Sequence, residues 1–224
     1  MENRLYLMDA RALEDPERFL AHYREMPPWR REKIDALRAE KAKRLSLAAG
    51  ILLKNALERA GAGDAELSFG ENGKPYLPGG GAEFNLSHSG NLAVCAVSGR
   101  PVGVDVEAYR HFDEKLLRHI FEERELSKLR ERAAPEDEDR AFTALWTIKE
   151  SFMKYLGTGL LLPPREIRIG LAPGGALRAA CGRYPDAARD VYFTQYALEG
   201  HAISVCSPCR AFAAEMEWIG GAEF

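Results

Sequence analysis

Gly103-Val104-Asp105-Val106-Glu107 and, about forty residues on, Trp146-Thr147-Ile148-Lys149-Glu150-Ser151 with Lys154 and Gly157 decide how this chain reads. The first stretch alternates as a short strand, which turns Asp105 and Glu107 to one face and Val104 and Val106 to the core. Two carboxylates held side by side repel unless a cation lies between them. The second stretch lies in a helix over about 139–156, with Leu145, Ile148, Phe152 and Leu156 as its buried stripe. Thr143, Trp146, Glu150 and Lys154 fall on a different arc. Alone, Glu150 and Lys154 would be a surface ion pair worth ~0.3–0.5 kcal/mol. Beside Asp105 and Glu107, Glu150 is the third acid of a hard-cation oxygen site. Magnesium binds through a few carboxylates and fills its octahedron with water and phosphate. Lys149 and Lys154 would neutralise the same phosphates.

Outward from these stretches, the chain repeats an order of elements. A strand over 4–10 and a short helix over 15–25 lead into a helical pattern at 29–60, where Leu45, Ala48, Ala49, Leu52, Leu53, Ala56 and Leu57 recur at helical spacing. Gly61-Ala62-Gly63 stops it. A strand at 65–69, a turn at Asn72-Gly73 and extended segments at 83–87 and 92–98 follow. From 102 the order recurs, with a strand at 102–107 and a helix after Asp113 carrying Leu116, Leu117, Ile120 and Phe121. An acidic break from Pro135 to Asp139 precedes the 139–156 helix. Extended segments at 165–171, 190–198 and 201–207 close the set, the last two separated by Glu199-Gly200. The expected fold is α+β, with two pseudo-symmetric lobes, 1–101 and 102–224, each a small sheet packed with helices. The site would lie at their junction. Residues 208–224 carry Trp218 but no pattern that assigns them.

At 224 residues, 46% apolar and 29% charged, the chain has a globular balance and enough length to bury a sizeable core. No apolar run approaches the ~20 residues that span a bilayer, and Met1-Glu2-Asn3-Arg4 has no signal-peptide design. A cytoplasmic enzyme without membrane association is expected. A formal charge of −3 argues against a general nucleic-acid binder. Basic residues are uneven all the same: Arg30, Arg31, Lys33, Arg38, Lys41, Lys43 and Arg44 fall within fifteen positions. They are either a solvated helix face or an anion site for a small phosphorylated ligand. Cys206-Ser207-Pro208-Cys209 lacks the further ligands of a zinc site. Cys95 alternates with valines as a core residue does, and the thiols are expected to be reduced.

Four separated motifs occur in a characteristic order: Gly73-Lys74-Pro75, Phe84-Asn85-Leu86-Ser87-His88-Ser89, Gly103 to Glu107, and Trp146 to Ser151 with Lys154, Gly157, Gly159 and Leu160. Over most of its length the chain resembles the 4′-phosphopantetheinyl transferases, of the larger, two-lobed surfactin-synthetase type. The resemblance implies transfer of the phosphopantetheine arm of coenzyme A to a serine of an apo acyl or peptidyl carrier protein. It further implies Mg²⁺ as cofactor, adenosine 3′,5′-bisphosphate as the second product and a monomeric enzyme. Residue by residue, it implies Asp105, Glu107 and Glu150 as metal ligands and Lys149 and Lys154 as phosphate contacts. Lys74, Ser87 and His88 would meet coenzyme A, and Arg30, Lys33 and Arg44 its 3′-phosphate. Here arginine stands where lysine is common in the family, and reaching Arg44 requires a gap. Glu125, in Phe121-Glu122-Glu123-Arg124-Glu125, matches a further acidic position.

These residue types suit such a reaction. A serine oxygen attacks phosphorus while a bisphosphate leaves, so catalysis is mainly positioning and charge neutralisation, to which a divalent cation and lysines contribute. Either Glu150 or Glu125 takes the hydroxyl proton. His88, flanked by Ser87 and Ser89, suits a phosphate donor. No nucleophile elbow accompanies the Ser-His pair, and the glycines form no phosphate loop. Two competing readings are a protein that binds coenzyme A or a carrier without turnover, and a metal-dependent phosphodiesterase that uses water.

Overall fold

The computed structural model describes residues 2–63, 65–70, 73–172 and 174–220. The first half runs through β1 (Arg4–Asp9), α1 (Pro16–Glu25), α2 (Pro28–Asp35), α3 (Glu40–Arg59), β2 (Ser68–Phe69), β3 (Pro75–Tyr76), β4 (Glu83–Ser89) and β5 (Leu92–Ser98). The second runs through β6 (Gly103–Ala108), α4 (Glu114–Ile120), α5 (Glu123–Arg132), α6 (Glu138–Leu156), β7 (Ile167–Leu171), β8 (Leu177–Cys181), α7 (Pro185–Arg189), β9 (Tyr192–Leu198), β10 (His201–Ser207) and β11 (Glu217–Trp218).

The fold is α+β, and the repeat read in the sequence returns as strand order. One sheet is β11-β1-β5-β4 and the other β6-β10-β9. Leaving β11 aside, each sheet places the opening strand of its half beside the last strand, with the penultimate strand outside. All these pairs are antiparallel, and a long helix, α3 or α6, falls between the opening strand and the closing hairpin.

Side-chain alternation explains the layers. Ala93, Cys95 and Val97 of β5 join Tyr6 and Met8 in a core with α3. Leu92, Val94 and Ala96, with Leu5 and Leu7, pack against Val104, Val106, Ile203 and Val205 of the second sheet. The first sheet is thus buried on both faces, which is why β5 reads as a nearly continuous apolar run. The order of layers is helix, sheet, sheet, helix. No helix among the described residues is long and apolar enough to cross a membrane.

Several expectations need correction. The helical pattern at 29–60 divides at residues 36–39 into α2 and α3, which brings the Arg30 stem against Gly50. Helix α5 was hidden by its charge; of its residues only Leu126 is buried. Its start is fixed by a capping box, Glu122 with Glu125. Strand β8 and α7 carry no clear period. Asn72, half of the expected turn, lies outside the described residues. The segment after Ser207 does not stay with the second sheet, as a boundary at 101/102 implies. Glu217 and Trp218 pair in parallel with Tyr6 and Leu7, and Ile219 enters the first core. Burial of Ile219 and a free edge on β1 outweigh proximity in sequence.

Candidate active site

A cavity of about 690 Å³ lies where the two halves meet, lined by Arg30, Lys33, Lys74, Ser87, His88, Asp105, Glu107, Glu150 and Lys154 among others. The first half supplies most of its basic groups and the second all of these acids.

The acidic wall is built by the period of two in β4 and β6. The Val104 N–H donates to Asn85 Oδ1 (3.1 Å), the Ser87 hydroxyl to Asp105 Oδ1 (2.8 Å) and the Ser89 hydroxyl to Glu107 Oε2 (2.7 Å). Helix α6 then descends on β6 at Gly103. A Cβ there would sit 2.0 Å from the Ser151 carbonyl oxygen and 2.5 Å from the Tyr155 nitrogen, so only glycine allows this approach. The closeness lets Lys154 reach Asp105 Oδ1 (2.7 Å) and Ser87 Oγ (2.6 Å). Gly157, at φ 72°, ends the helix in the left-handed region. Lys74 crosses from the first half and donates to the Lys154 carbonyl (3.1 Å).

Electrostatically this wall is under tension. Burial raises the Asp105 pKa, while Lys154 and Ser87 pull it back. Burial, then repulsion from Asp105, pushes Glu150 up to about 7, against the pull of Lys154. Asp105 Oδ2 is buried without a hydrogen-bond partner among the described residues. A cation would relieve all three conditions, so the donor set fits a divalent metal.

The first half gives the cavity a basic side. Arg30 is buried, stacks 4.5 Å over the Trp29 ring, and its Nε has no partner among the described residues. Burial lowers its pKa to about 10, which still leaves it charged at neutral pH. Trp29 meets Phe69 edge-on at 5.1 Å. Burial, then the Lys154 charge, lowers the His88 pKa, so the ring is neutral at pH 7.

Not every expected residue converges here. Lys149 is fully buried and bonds Glu125 Oε2 (2.7 Å), the Ile120 carbonyl (3.2 Å) and the Pro164 carbonyl (3.2 Å). Neither Lys149 nor Glu125 lines the cavity. They form an internal ion pair tying α6 to α4, α5 and the turn before β7, so Glu125 is not placed to take a substrate proton. Arg44 pairs with Glu14 (3.6 Å) and is not among the cavity-lining residues. Asp105, Glu107 and Glu150 share the cavity, yet no metal-binding group of three is already formed among the described residues. Ser87 with Lys154 occupies one oxygen of Asp105, and Ser89 one of Glu107. Trp29 and Phe69 carried no signal in the sequence, and Asn85 and Ser89 stood within a motif without a role of their own. For the last two, their two-residue spacing with Ser87 on a strand was the available signal.

The family model of the 4'-phosphopantetheinyl transferase superfamily matches residues 101–206. A 4'-phosphopantetheinyl transferase of Bacillus subtilis is 32% identical over 183 residues, covering 80% of this chain and 80% of that one. The chain belongs to the 4′-phosphopantetheinyl transferase superfamily. The 4'-phosphopantetheinyl transferase Sfp of Bacillus subtilis (strain 168) is 28% identical over 220 residues, covering 96% of this chain and 95% of that one. Among solved structures, the holo-[acyl-carrier-protein] synthase of Neisseria meningitidis aligns with a TM-score of 0.40 at 19% identity, over 47% of this chain and 94% of that one. Membership of that superfamily, and the transferases it matches in sequence, make the protein an enzyme of phosphopantetheine transfer, as the resemblance implied.

Proposed function

We propose that the enzyme moves the phosphopantetheine arm of coenzyme A onto a serine hydroxyl of an apo acyl or peptidyl carrier protein, acting as a cytoplasmic monomer with Mg²⁺ held by Asp105, Glu107 and Glu150. The observation that carries the reading is the pairing, in one cavity, of a buried Arg30 Nε and a buried Asp105 Oδ2, neither with a hydrogen-bond partner among the described residues. A dianionic 3′-phosphate suits the first, and a cation joined to a pyrophosphate suits the second.

In the reaction the serine oxygen forms a bond to the phosphorus that bears pantetheine. The bond from that phosphorus to the bridging oxygen breaks, and adenosine 3′,5′-bisphosphate leaves with the electron pair. Arg30 and Lys33 bind the 3′-phosphate, with His88 as a neutral donor beside it. Lys74 and Lys154 offset charge on the pyrophosphate oxygens. Glu150 lines the cavity with Lys154 and is the carboxylate placed to accept the serine hydroxyl proton. A divalent cation, when bound, would neutralise both phosphates at once.

The deciding experiment incubates the protein with coenzyme A, Mg²⁺ and a panel of apo acyl and peptidyl carriers, and weighs the carriers. The expected result is a gain of the phosphopantetheine mass on one serine. No gain across the panel would leave a coenzyme A-binding protein, and release of adenosine bisphosphate without any carrier would indicate a phosphodiesterase.

A further inference from the structure

We propose that Ser89 is a positioning residue that aims Glu107 at the cation, so that the first half of the chain orients a metal ligand carried by the second. The inference rests on the metal reading above and goes beyond it by naming a group outside the cavity. Ser89 is not among the residues lining that cavity, whereas Glu107 is. A serine hydroxyl has one proton to give and two lone pairs to receive. The Ala108 N–H donates to Ser89 Oγ (3.1 Å), and Ser89 donates to Glu107 Oε2 (2.7 Å). One lone pair is thus spent on the backbone next to Glu107, and the single proton fixes one carboxylate oxygen. Oε1 remains as the oxygen for a cation.

Alternation gives the arrangement its precision. Asn85, Ser87 and Ser89 stand two apart on β4, at the edge of the first sheet, and meet Val104, Asp105 and Glu107 on β6, at the edge of the second. A period of two keeps all three side chains on the one face that looks toward β6. Ser87 differs from Ser89 in being shared: Lys154 also donates to it. Ser89 has no such tie to the phosphate-binding lysine, which makes it the cleaner probe of carboxylate orientation. Residues that orient a metal's ligands typically change affinity by about 10–100-fold when removed.

The test titrates Mn²⁺ into the full-length protein with coenzyme A present, following free Mn²⁺ by electron paramagnetic resonance. Ser89→Ala should weaken Mn²⁺ binding about 10–100-fold, and Ser89→Thr, which keeps the hydroxyl on a strand-compatible side chain, should restore most of it. In turnover, Ser89→Ala should need more Mg²⁺ for half-maximal rate yet recover most of its kcat at saturation. The melting temperature in chelator should stay close to wild type, which separates orientation from folding. Wild-type affinity in Ser89→Ala, or Ser89→Thr as weak as Ser89→Ala, overturns the proposal while leaving the metal site standing. Failure of the wild type to bind Mn²⁺ at all removes both.

Discussion

Helices α3 and α6 hold equivalent places in the two halves, with 20 and 19 residues, yet they are buried by different chemistry. Most of the buried face of α3 is Leu45, Leu47, Leu52, Leu53, Ala56 and Leu57. Around α6, Thr143, Thr147, Lys149 and Ser151 are each fully buried beside Phe142, Phe152 and Met153. Thr147 shares a hydrogen bond with Ser204 of the sheet beneath (2.8 Å), and Lys149 has its three acceptors. An apolar face grips through area and tolerates small shifts; a hydrogen-bonded one fixes rotation about the helix axis. The half that carries Glu150 and Lys154 into the cavity is the one pinned by polar contacts.

The contrast is broken most severely at the acids. Asp105→Ala should lower carrier modification by at least ~10³-fold while the melting temperature stays near wild type, because the lost carboxylate was already burdened by burial. Near-normal turnover at saturating Mg²⁺ would remove Asp105 from the site. Next in size is Lys149→Met. It leaves Glu125 without its cation in a nearly closed environment and should cost about 3–5 kcal/mol, a fall of roughly 10 °C on thermal melting. Adding Glu125→Gln should return part of that loss in a double-mutant cycle. Additive losses would mean the pair is not coupled.

A glycine in each half sharpens the same comparison. Gly103→Ala drives a methyl into the backbone of α6 at Ser151 and Tyr155, costing about 1–3 kcal/mol or more, with transfer falling further than stability as α6 lifts away from Asp105. Metal binding should follow the proton on Glu150. With a pKa of about 7, raised by burial and by Asp105, Glu150 must be deprotonated to bind a cation. Mn²⁺ affinity should therefore weaken by up to about tenfold per pH unit below 7 and level off above it. A flat profile from pH 6 to 8 would exclude Glu150 as a ligand. The same raised pKa means the metal-free fold loses stability as pH climbs from about 4.5 through about 7, since the folded state holds that proton more tightly. Gly50→Ala should do least. Its new Cβ meets Met26 Sδ at 2.7 Å and the Arg30 stem at 3.3 Å, so the first must shift and the second give by a few tenths of an ångström, and the gain in helix propensity offsets up to ~1 kcal/mol.

Legibility followed the same divide. The spacing of Leu45 to Leu57 marked α3 plainly, because one apolar stripe met one core. In α6 the stripe was visible but misleading about the rest of the circumference: Lys149 and Thr147 are polar by type and buried by partnership. Asp105 and Glu107 could be put on one face because strand alternation needs no distant information. Glu125 and Lys149 could not be separated from the site by type alone, since a carboxylate and an ammonium near the family's motifs look the same in sequence whether they face a cavity or each other.

From the chain alone came what depends on local spacing and on motif order: a strand–helix order repeated twice, two acids on one strand face, a third acid and a lysine four apart on a helix, and the transferase family. Tertiary structure decided which charged groups share a cavity, that Ser89 holds Glu107, and that the segment after Ser207 returns to β1. Those outcomes turn on contacts between residues far apart in sequence, where burial and hydrogen-bond satisfaction choose among partners that spacing cannot rank.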